Sequence, residues 1–230
     1  MYQAGTNTYA VDPARTGAPP NGVRFILYEL ASNGALTATE IGYADLVDEQ
    51  AGSLTSAGLR LTVVSGSTTH LDYHFTLAGT IATASVGVNG YLSNGTERVN
   101  FEITTTGQLF GRAGPVTFDA RLEVPSEDFV VTANVTGEAG QTNGDGVMAF
   151  TVQSHTDVLL INSTTTGGNV DATVKVNGKL FATVTGPNDN VVIKGDGGRD
   201  LTAVELHALG HAVAFAGGMF ETFGGLLAPV

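Results

Sequence analysis

Val116-Thr117-Phe118-Asp119-Ala120-Arg121-Leu122-Glu123-Val124 alternates apolar and polar residues without a break. Pro125-Ser126-Glu127-Asp128 then turns the chain into Phe129-Val130-Val131-Thr132-Ala133-Asn134-Val135, which repeats the pattern. Side chains two apart share one face of a strand, so this stretch predicts a hairpin with one buried and one wet face. The same period runs outward in both directions. Leu71, Tyr73, Phe75 and Leu77 alternate with Asp72, His74 and Thr76, and Val170, Ala172, Val174 and Val176 meet Leu180, Ala182 and Val184 across Asn177-Gly178. Asn33-Gly34, Asn94-Gly95 and Asn177-Gly178 are hairpin turn signals. Ten to thirteen short strands follow, and Leu71, Tyr73, Phe75, Val116, Phe118, Leu122, Val131 and Val174 are expected to face the core, since a one-residue slip would turn the whole set to solvent.

Composition agrees with that reading. The 230 residues carry 31 glycines, no cysteine and only 14% charged residues, against an ordinary charged share of about 25%. Threonine, serine and asparagine carry the polarity. The net charge of −12 argues against binding nucleic acid or an anionic membrane surface. The absence of cysteine removes disulfides, thiol catalysis and cysteine-ligated metals. Together these features point to an all-β protein of the extracellular space or cell envelope. Met1 to Thr6 shows neither the basic start nor the apolar core of a secretory leader.

Three regions are expected. Residues 1–22, with Pro13, Pro19 and Pro20, read as an extended arm without a core of its own. An ordered arm of this kind gains its backbone hydrogen bonds from its own domain or from a neighbouring copy. Residues 23–198 read as an antiparallel meander curled into a sandwich or partial barrel. Within it Ile103-Thr104-Thr105-Thr106-Gly107 and Ser163-Thr164-Thr165-Thr166-Gly167 each lead into an Asp-Ala strand, the mark of similar successive hairpins. Residues 199–230 read as a helix and an apolar tail packed on the β domain. Thr202 and Glu205 have the spacing of a capping box, and the run from Leu201 to Ala216 is apolar nearly all round, so one buried C-terminal helix is expected.

His207 and His211 stand four apart on that helix, a spacing that places two imidazoles on one face. His207-Ala208-Leu209-Gly210-His211 resembles the zinc-binding helix of the zincin metalloproteases, whose two histidines hold zinc and whose glutamate after the first is the general base. The resemblance covers about seven residues. Alanine stands at 208 where the base belongs, and Ala214 and Gly217 stand where the metzincin extension needs glycine and histidine. Hydrolysis is therefore not expected. His70, Asp72 and His74 alternate along one strand and form a second candidate cation site. The acidic loops Asn143 to Gly146, Asn188 to Asn190 and Asp196 to Asp200 offer oxygen ligands suited to calcium, without EF-hand spacing. They are also what tight turns require. No nucleophile elbow, phosphate loop or dinucleotide fingerprint occurs.

The expected function is non-enzymatic. A structural subunit that self-associates comes first, through the arm, with Tyr2 and Val11, or through the tail, with Met219, Phe220, Phe223, Leu226 and Leu227. A carrier holding an apolar ligand between the curled sheet and the helix is the alternative. No cofactor is expected, with a divalent ion the exception to test.

Overall fold

The computed structural model describes residues 2–3, 8–9, 14–50, 53, 55–80, 83–108, 114–139 and 145–227. β1 (Tyr2–Gln3) and β2 (Thr8–Tyr9) pair as a separate two-stranded antiparallel ribbon. The remaining strands are β3 (Gly22–Leu30), β4 (Leu36–Asp48), β5 (Ser56–Ser65), β6 (Thr68–Gly79), β7 (Ala84–Ser93), β8 (Arg98–Gly107), β9 (Gly114–Val124), β10 (Phe129–Ala139), β11 (Gly146–Ser154), β12 (Asp157–Thr166), β13 (Asn169–Val176), β14 (Lys179–Pro187) and β15 (Val192–Gly195). They form one 13-stranded antiparallel sheet in strict sequence order. The sheet stays open, with β3 and β15 at its edges. A meander is thus present as expected, but as one sheet rather than the two of a sandwich.

The turn chemistry is that of the sequence. Asn177 and Gly178 both take positive φ, 50° and 76°, as a two-residue hairpin between right-twisted strands requires. Gly90 answers a different need. It lies at φ 150°, and a Cβ there would stand 1.9 Å from the Asp72 carbonyl oxygen. Its cross-strand partners Tyr73 and Phe101 meet over it with ring centres 6.1 Å apart.

One row of residues crosses nine strands on the concave face. Val88, Ile103, Ala120, Ala133, Phe150, Ile161, Val174 and Ala182 are successive cross-strand partners, ending at Gly195. All eight side chains are buried, and Ala133, Phe150 and Ala182 are wholly inaccessible. The convex face at the same level carries Thr104, Asp119, Asn134, Asn162, Thr173 and Thr183. Alternation in the chain thus becomes an apolar inside and a threonine- and asparagine-rich outside. None of the eight residues expected to face the core is exposed.

Helix α1 (Ala203–Leu227) lies over this row. Phe150 on β11 meets Phe215 and Phe220, with ring centres 6.3 and 5.9 Å away, while Phe118 on β9 meets Phe220 and Phe223. Length decides how far the cover extends. A helix of 25 residues spans about 37 Å at 1.5 Å per residue. Nine strands spaced about 4.8 Å apart occupy about 38 Å, and thirteen would need about 58 Å. The helix therefore covers β7 to β15, touches β6 at its last turn, and leaves the concave face of β3 to β5 open. Val23, Leu46 and Leu59 lie there, with Val23 53% and Leu59 42% exposed.

Two expectations about this segment change. The helix does not stop near Ala216 but continues to Leu227 through Gly217, Gly218, Gly224 and Gly225. Glycine costs a helix about 1 kcal/mol relative to alanine, and burial of Phe223, with packing of Met219, Phe220 and Leu226, outweighs that cost at roughly 1.5–3 kcal/mol per fully buried side chain. Nor is the helix buried all round. Leu209, Ala216 and Phe223 are buried on one stripe, whereas Val204, Leu206, Val213 and Phe215 are exposed.

Candidate functional site

The helix begins as the sequence predicts. Thr202 Oγ1 accepts from the Glu205 backbone N–H at 3.3 Å, and Glu205 Oε2 accepts from the Thr202 N–H at 2.8 Å, a reciprocal capping box. Arg199 grips both Glu205 oxygens, at 2.9 and 2.6 Å. That bidentate pair, with the two hydrogen bonds from Thr202, holds the Glu205 carboxyl at about 2, against an ordinary 4.5.

Packing then divides the helix lengthwise. Glu205, Leu209, Ala212, Ala216, Met219, Phe220, Phe223, Leu226 and Leu227 turn toward the sheet, at the three- and four-residue spacing of one helical stripe. The opposite side carries His207, Gly210, His211, Ala214, Gly217, Gly218, Glu221 and Gly225, all exposed. Val204 (79% exposed), Val213 (55%), Leu206 (45%) and Phe215 (41%) flank it. Glu221 is the only ionised side chain on this side of the helix.

The glycines on that side, and Gly224 on its flank, have no reason within the chain. A Cβ added at Gly210, Gly217, Gly218, Gly224 or Gly225 would meet nothing within 4 Å beyond the helix's own backbone. Five positions at which alanine would fit and strengthen the helix hold glycine instead.

At the amino-terminal end of the same side, His207 and His211 point their Nε2 atoms at each other, 2.9 Å apart, with rings perpendicular at 89°. No family model, curated protein or solved structure matches this chain.

The other expected sites fare differently. His70, Asp72 and His74 do not converge on a cation. Asp72 takes both ends of the Arg60 guanidinium at 2.8 Å, so a positive charge already sits where an ion would. Arg60 first, and His74 at 3.2 Å, hold the Asp72 carboxyl below its usual range. His74 also contacts Glu49, and His70 Nδ1 lies 3.0 Å from the Ser93 carbonyl oxygen. Among the described residues no three histidine, aspartate or glutamate side chains gather around one point.

The acidic loops act as turns. Asp145 accepts from the Gly167 N–H, Asn190 N–H donates to the Pro187 carbonyl, and Gly195 N–H donates to the Arg199 carbonyl while Asp200 pairs with Lys194. Asn143 and Gly144 lie outside the described residues, as do Val11 and the side chain of Tyr2.

Met219, Phe220, Phe223, Leu226 and Leu227 were expected to meet another copy. They pack on the chain's own sheet instead, because the helix continues through them and brings all five to its buried stripe. The surface missed from sequence is the reverse side of that helix. Its signal was present, since Gly210, Gly217, Gly218 and Gly225 recur there inside a run that otherwise favours helix.

Recesses on the described surface include one lined by Asn89, Asn100, Glu102, Arg121 and Glu123, and another lined by Thr136, Glu138, Asp145 and Thr164. Both are polar. No helix among the described residues is long and apolar enough to cross a membrane.

Proposed function

We propose that this chain is a non-enzymatic structural subunit of the cell exterior that self-associates through the solvent side of α1. The observation that carries the reading is the set of helix glycines with open space at every missing Cβ. Each costs about 0.5–1 kcal/mol against alanine, and nothing in the chain's own packing offsets that cost. Close approach of a second backbone does. Small residues in the middle, with Val204, Leu206, Val213 and Phe215 on the flanks, let the same side of a second copy nest against it as an isologous pair. With Glu221 the sole charge there, the net charge of −12 opposes the contact only weakly.

Light scattering on the full chain tests this reading. The wild type is expected as a dimer or larger species, and Gly218→Leu as a monomer of unchanged circular dichroism, since its side chain enters open space. A monomeric wild type at about 100 μM, well above the Kd of specific assemblies, would overturn it.

A second reading rests on the open concave end. Val23, Leu46 and Leu59 leave apolar surface exposed beyond the helix, against which an apolar ligand could lie. The helix and the sheet are in direct contact over β7 to β15, with Phe150 and Phe223 inaccessible. A ligand would therefore lie beside the helix end and not beneath it. Saturable binding of a fluorescent fatty acid by a monodisperse monomer would place this reading first.

A further inference from the structure

We propose that His207 and His211 form a two-histidine chelate for a divalent transition metal of the nickel or copper class, open to solvent at the amino-terminal end of α1. The pair is already convergent. Its Nε2 atoms stand 2.9 Å apart on one side of a continuous helix. Metal–imidazole bonds of about 2.0–2.1 Å to two nitrogens at that separation close an angle of about 90° at the metal. That is the bite of adjacent positions in a square-planar or octahedral site, whereas a tetrahedral zinc site opens nearer 109°.

Among the described residues the two nitrogens are hydrogen-bonded to each other, a bond that a metal ion would replace. Glu205, two residues before His207, is held by Arg199 and Thr202 and lies on the sheet side of the helix. Ala203, Ala208, Gly210 and Ala214 beside the pair are exposed and carry little or no side chain, with Val204 and Phe215 on its flank, which leaves the remaining coordination positions to water. The zincin likeness ends here: Ala208 supplies no carboxylate to act as a general base beside the metal. His207 and His211 bracket Gly210 on the side proposed to meet a second copy, so uptake is measured on the Gly218→Leu chain, expected as a monomer, as well as on the wild type.

Calorimetric titration of the full chain with Ni²⁺ tests the assignment. One ion per chain is expected. His207→Asn or His211→Asn should weaken it by at least about tenfold, as loss of one arm of a chelate does, with unchanged circular dichroism. His74→Asn should leave it unaltered, and added Ni²⁺ should raise the unfolding temperature of the wild type but not of the two helix variants. Equal Ni²⁺ affinity in the wild type and both helix variants would overturn the assignment, as would no uptake by the wild type at about 1 mM ion.

Discussion

Tyr73 on β6 donates a 2.8 Å hydrogen bond from its phenol to the backbone carbonyl of Leu226, 153 residues later in the chain. The last carbonyls of a helix lack partners within it. One from the final turn is therefore satisfied by the sheet, at the point where the helix runs out of strands to cover. The bond fastens the last turn of the helix to the sheet at that end of the covered region, and burial raises the Tyr73 pKa above its ordinary 10.0.

Tyr73→Phe should destabilise the chain by about 1 kcal/mol, the usual net worth of one hydrogen bond. Urea unfolding measures the loss, and amide exchange should rise first at residues 223–227. An unchanged midpoint would mean that water replaces the phenol at no cost.

Phe150→Ala should cost about 3–5 kcal/mol, as for other wholly buried aromatic residues. Its ring touches the helix at Phe215 and Phe220, so the helix and the sheet should loosen together. Loss of helical circular dichroism alone, with the sheet intact, would contradict this coupling.

Gly217→Ala and Gly224→Ala make opposite demands on the two states of the protein. In dilute monomer each should stabilise the helix by about 0.5–1 kcal/mol, because the added methyl meets nothing. At high concentration association should weaken. Stabilisation without any change in association would remove the argument for a contact between copies.

Glu205 sets an acid limit. Its folded-state pKa of about 2 lies below the ordinary 4.5, so the unfolded chain takes up the proton first as pH falls. The stabilisation is complete above pH 4.5 and is lost as pH drops toward 2. Glu205→Gln should be less stable at neutral pH and should show a flatter profile in that window. Thr202→Ala, which removes the N-cap, should cost about 1 kcal/mol.

Leu59→Asp addresses the apolar surface beyond the helix. Leu59 is 42% exposed, so the change should cost little stability while placing a charge on the apolar concave end. Binding of an apolar dye should fall severalfold if this surface is its site. Unchanged dye binding would shift attention to the helix flanks.

Much of this protein was legible from pattern alone. Val116 to Val135 announces a hairpin because alternation of period two has only one stable solution when one face is apolar. Asn177-Gly178 announces its turn because both residues tolerate positive φ. Thr202 and Glu205 announce the start of the helix through capping geometry that is local to four residues. These are short-range constraints, and each is satisfied where the sequence put it. The end of the helix was not legible, because Gly217, Gly218, Gly224 and Gly225 weaken it locally and only contact with Phe118 and Phe150, far away in the chain, restores it.

The sequence by itself determined a cysteine-free antiparallel meander with an apolar inside, a threonine-rich outside and a capped helix to follow. Only the tertiary structure decided that the sheet remains a single open layer and that the helix covers nine of its thirteen strands. It also decided that Met219, Phe220, Phe223, Leu226 and Leu227 face inward while the glycines face out. The physical reason is one of range. Strand period, turn and cap are set by neighbours a few residues apart, whereas the side a helix presents is set by where about 37 Å of it can be laid against a sheet.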